Sequence, residues 1–165
     1  MWLEMSGTQG IGRSGEGRVV GLLVEAMRAD GWSVTAQAGD DSAGEDRIVS
    51  ANGMRIVVQC VSADLGQEVY QSAAMGSASL RGNIDDAKEW LGSALDDKAR
   101  RYSAAMKAET ILAIDIGHIG ILASEEIIDP VLSAKAKASG FFGVVLIGPH
   151  LSRVTWIIEL PLGGA

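Results

Sequence analysis

The chain of 165 residues has one cysteine, three prolines and no long uninterrupted apolar run. A lone cysteine, Cys60, makes no internal disulfide, and without companion cysteines or clustered histidines it builds no zinc site. A reducing compartment suits it. With so little proline, and with 47% hydrophobic against 21% charged residues, no part of the chain has the composition of a disordered block. A membrane-spanning helix needs roughly 18 consecutive apolar residues, and the best approach to that, ILAIDIGHIGIL, is interrupted by Asp115 and His118. The first residues, MWLEMSGTQGIGRSGEGR, lack a signal-peptide core and carry their positive charges after the few apolar positions. The expectation is a cytoplasmic protein with no membrane partner. A basic excess is missing too. Fourteen Lys and Arg against 21 Asp and Glu give a net charge of −7, which disfavours broad, non-specific attraction to phosphate but leaves room for a local basic groove. Four of the basic residues fall in KARRYSAAMK, residues 98 to 107, whose plain reading is a solvated helix face.

What is present reads as a single α/β domain over 1–165, with a core at about 14–117 and a C-terminal extension of the same domain over 118–165. Ser14 is placed to cap a helix that Gly31 stops, and residues 32–38 follow as a strand. DRIVSA and MRIVVQCV are β-rich runs joined by Asn52-Gly53, both of which tolerate the positive φ of a type I′ hairpin turn. Residues 62–82 are small, polar and weakly periodic, with a short helix around 66–74 as one reading. Asn83 opens an amphipathic pattern through about Met106 with Ile84, Ala87, Leu91, Leu95, Tyr102 and Ala105 on one stripe. ILAIDI is a buried-type strand, and Asp129-Pro130 is an N-cap followed by proline at the first helical position. FFGVVLIG and RVTWIIEL close the order α-β-β-β-α-β-α-β-β. An antiparallel hairpin followed by helix and strand predicts a three-layer α/β/α fold around a mixed central sheet.

The hairpin carries the most informative constellation. If Ala51 pairs with Met54, each step outward keeps register, and Asp46 lies opposite Gln59 with Cβ atoms about 5 Å apart. A carboxylate and an amide carbonyl on one face can share a cation, although each residue is also ordinary in a strand. Glu16, Val20, Leu23 and Met27 follow at spacings of four, three and four, so Glu16 sits on an apolar helical stripe. Favourable interaction with the helix dipole is its plainer role. Leu91, Leu95, Lys98 and Tyr102 repeat that spacing with a cation, which either acts inward or snorkels to solvent.

This arrangement resembles the PD-(D/E)XK, or restriction-endonuclease-like, nuclease superfamily: a helix with Glu16, three strands with Asp46 opening the second and Gln59-Cys60-Val61 on the third, then helix and strand. The likeness covers residues 14 to 117. It implies an αβββαβ core plus the C-terminal helix and strands, with Glu16, Asp46 and Gln59 as ligands of Mg²⁺. Such an ion takes oxygen donors and can activate water against a phosphodiester. The motif departs from the family at Val61, where a lysine is expected, and Lys98 on the next helix is the candidate substitute. The resemblance therefore implies a Mg²⁺-dependent nuclease with Glu16, Asp46, Gln59 and Lys98 as catalytic residues, acting on DNA in preference to RNA. The alternative is a catalytically degenerate module of the same fold that binds nucleic acid or a protein partner without cleavage.

Overall fold

The structure, a computed structural model, describes residues 14–39, 47–62, 84–116, 128–148 and 154–161. Asp46, His118, His150 and the short helix expected at 66–74 lie outside the described residues, as does the side chain of Glu16.

The first helix, α1 (Ser14–Ala29), buries Val19, Val20, Leu23, Val24 and Met27. It stops where Gly31 adopts φ +95°, a left-handed conformation that glycine enters without a Cβ penalty. Arg28 in its last turn donates to the Val34 carbonyl at 2.7 and 3.1 Å, tying the helix end to β1 (Val34–Ala38). Strands β2 (Arg47–Ala51) and β3 (Met54–Ser62) form the expected hairpin. Asn52 and Gly53 have φ +50° and +81°, and Ala51 pairs with Met54. The Asn52 side chain accepts from the Ser33 amide at 2.8 Å, which docks the turn against the start of β1.

Helix α2 (Ile84–Arg101) ends earlier than its stripe suggests. At Ser103 the backbone is extended, and the serine hydroxyl accepts from the Met106 amide to begin a separate short helix, α3 (Ala104–Lys107). Strand β4 (Thr110–Asp115) follows. Helix α4 (Pro130–Ser139) starts as expected, with the Asp129 carboxylate accepting from the Leu132 amide at 2.8 Å, and ends at Gly140 with φ +86°. Strands β5 (Gly143–Ile147) and β6 (Val154–Ile158) complete one sheet of six strands in the order β1-β2-β3-β4-β5-β6.

Pairing is antiparallel through β1-β2-β3, parallel through β3-β4-β5 and antiparallel again at β6. Ile157 is an extra residue between the positions that face Val144 and Val145, a bulge that bends the edge strand. Alternation divides the sheet between two cores. Ile56, Val58, Ile111, Ala113, Val145 and Ile147 pack with α1. Leu112, Ile114, Val144 and Leu146 pack with Leu91 and Leu95 of α2 and Leu132 of α4. The fold is thus three-layered α/β/α; among the described residues α1 covers one face and both crossover helices the other, as right-handed parallel connections require. No helix among the described residues is long and apolar enough to cross a membrane.

Candidate functional site

The hairpin register fixes where the motif residues point. The described ladder ends with Arg47 paired to Val58, and Asp46, expected across from Gln59, lies outside the described residues. Along β3 the even positions Ile56, Val58 and Cys60 pack with the α1 core. The odd positions face the other way: Val61 packs with the core under α2 and α4, and Gln59 shares a cavity with Tyr102 from the end of α2.

Gln59 is 3% exposed. Its cavity has a volume of about 70 Å³ and is lined by Arg55, Val57, Tyr102, Met106, Glu109 and Thr110. The Glu109 carbonyl accepts from the Val57 amide at 2.9 Å, and the Thr110 hydroxyl donates to the Met106 carbonyl at 2.6 Å, closing the loop from α3 onto β3. A Mg²⁺ site wants several oxygen donors around one position, and two of the expected donors, Asp46 and the side chain of Glu16, lie outside the described residues. Among the described residues that line the Gln59 cavity, Glu109 is the one carboxylate and Arg55 the one guanidinium. Among the described residues no buried side-chain nitrogen or oxygen lacks a hydrogen-bond partner, that of Gln59 included.

The other candidates are distributed differently. Glu16 belongs to the first turn of α1, and α1 covers the face of β3 opposite to Gln59. Val20, Leu23 and Met27, which share its spacing, are fully buried in the core on that face. Lys98 is half-buried on α2 and is not among the residues that line the Gln59 cavity, where Tyr102, one turn further on, takes that place. Gln59 and the helix that carries Glu16 are therefore on separate faces of the sheet. Among the described residues, no three His, Cys, Asp or Glu side chains cluster closely enough to hold a metal ion.

Other polar contacts went unassigned in the sequence. Arg18 of α1 donates to Asp115, the last residue of β4, at 2.7 Å. Lys88 of α2 pairs with Asp129 at 3.2 Å, linking the beginnings of α2 and α4. The Leu132 amide, and then Lys88, hold the Asp129 carboxyl below its ordinary pKa. Arg47 is 6% exposed, an arginine taken into the sheet interior at the start of β2. The one available signal for the first pair was Asp115 itself, a carboxylate closing an otherwise apolar strand. Compared with protein-family models, curated proteins and solved structures, the chain matches none of them.

Proposed function

We propose that this chain is a restriction-endonuclease-like module that binds nucleic acid, DNA in preference to RNA, without cleaving it. The observation that carries this reading is the placement of the motif strand. Gln59 and Val61 point into the layer beneath α2, away from α1. A hydrolytic centre needs metal donors and a cation around one water and one phosphate. Here the place of the family's lysine is filled by a valine that contributes to an apolar core, and Lys98 stands outside the Gln59 cavity. The fold order and the parity of the hairpin support descent from a nuclease-like architecture, while the chemistry of the site supports a binding role. The lone cysteine, half-buried against the α1 core, suits the cytoplasm.

Isothermal titration with Mg²⁺ and Mn²⁺ tests the reading. The chain is expected to show no saturable binding that Asp46→Ala or Gln59→Ala removes. Saturable binding lost in both variants would favour a nuclease in which Asp46 and Gln59 hold metal.

A further inference from the structure

On the face covered by α2 and α4, the end of the fold where those helices finish and β3 and β4 begin carries Arg55, Arg100, Arg101, Lys107, Lys135 and Lys137, with Lys98 beside them. The carboxylates that pair or share a cavity with these cations are Asp96, Asp97 and Glu109. With Glu159, exposed after β6 beside the start of β5, seven cations stand against four carboxylates among the described residues, a locally positive end on a chain whose net charge is −7.

Contacts and shared cavities connect Arg55, Arg100, Lys107 and Lys135 across this end. Lys135 of α4 reaches Asp96 of α2 at 2.8 Å. Lys107 donates to the Ala99 carbonyl at 3.1 Å and lies against Gly140, which caps α4. Arg55 joins through the cavity it shares with Tyr102 and Met106. Between α2 and α4 runs an open groove of about 600 Å³, with Ala99 and Ala138 among its small side chains and Arg100 and Lys135 among its cations.

Helix dipoles attract a cation into each last turn, but they do not explain Arg55, which is on a strand, or three cations at the end of α2. Arg100 and Arg101 are 77% and 64% exposed, and both lean on the single carboxylate of Asp97, at 3.6 and 3.0 Å. Pairs this exposed are weak, so a phosphate can replace Asp97 as their partner at little cost. Guanidinium groups match phosphate oxygens in geometry as well as charge.

We infer that this end of the fold docks the phosphodiester backbone of duplex DNA, with Arg100 and Arg101 as its principal contacts. The inference deepens the binding reading above and rests on it for the nature of the partner. It places DNA at the starts of β3 and β4, remote from the end at which α1 begins and the Arg18–Asp115 pair lies. Charge repulsion from the remaining acidic surface orients the duplex toward this end.

The test is fluorescence anisotropy of a labelled random-sequence duplex of about 20 base pairs, in EDTA, across a salt series. The full chain is expected to bind with log Kd rising by about 3 to 5 per decade of salt. Arg100→Gln/Arg101→Gln should weaken binding about tenfold or more and reduce that slope by about 2. Lys137→Glu, on the other helix, should weaken it independently, and unchanged thermal melts would show that both variants remain folded. Absence of salt-dependent binding overturns the inference, as does binding that these variants leave intact or preference for an acidic protein over DNA. Binding that the variants leave intact leaves the proposed function standing, absence of DNA binding overturns both, and metal-dependent cleavage overturns the proposed function while leaving this surface standing.

Discussion

Arg18 in the second turn of α1 donates to the carboxylate of Asp115 at 2.7 Å, across 97 positions of sequence, and fixes the start of that helix to the end of β4. The pair is partly shielded, with side-chain exposures of 36% and 18%. Truncating Asp115 leaves Arg18 facing an apolar strand end. Asp115→Ala is expected to cost about 1 to 2 kcal/mol in urea unfolding, and Arg18→Ala somewhat less. A double-mutant cycle should show positive coupling between them. Strictly additive losses would mean that the contact does not hold helix to sheet.

Asp129 gives the fold a defined response to acid. Its carboxyl is held below its ordinary pKa by the Leu132 amide and by Lys88, so the folded state binds its proton less readily than the unfolded chain does. The resulting stabilisation is complete above the unfolded carboxylate pKa and is lost as pH falls below about 4. Thermal melts from neutral to acid pH should therefore show a smaller acid-induced drop in Asp129→Asn than in the parent chain. An identical drop in both would remove Asp129 from that response.

Gly143 is required by packing. A Cβ there would lie 2.9 Å from Leu160, 3.2 Å from the Trp156 ring and 3.4 Å from Ile111. Gly143→Ala forces β5 away from Ile111 of β4, Trp156 of β6 and Leu160 just after β6, and is expected to destabilise by about 1 to 3 kcal/mol. A chemical denaturation curve measures it directly, and an unchanged midpoint would show that Leu160 and Trp156 yield freely.

Much of this architecture was legible because its signals are local. Asn52-Gly53 set the hairpin register through backbone conformations that few other residues accept, and Asp129-Pro130 marked the start of α4 by capping chemistry within one turn. The end of α2 was less visible. Tyr102 and Ala105 continue the helical stripe, yet Ser103 turns its hydroxyl to a new helix start, a local competition that periodicity does not register. Which side of the sheet each candidate faces was not legible, for a more general reason. The spacing of Glu16 with Val20, Leu23 and Met27 and the parity of Gln59 on β3 both specify an inward direction. In a three-layer fold there are two interiors, and nothing in either period says which one. The cores on the two faces assign α1 to one and Gln59 to the other.

That assignment makes Val61 a packing residue. Val61→Lys would restore the family's motif on paper, but it places an ammonium in the apolar core beneath α2 and α4. The expected outcome is a loss of about 1 to 3 kcal/mol in stability with no gain of metal-dependent cleavage. A folded Val61→Lys chain that cleaves DNA with Mg²⁺ would show that the strand can still present a working site.

The most direct measurement is a cleavage assay on plasmid DNA and on RNA with Mg²⁺ or Mn²⁺, comparing the parent chain with Asp46→Ala. A non-cleaving nuclease-like module gives no product above the Asp46→Ala control under either metal. Metal-dependent product from the parent chain that Asp46→Ala abolishes would contradict it.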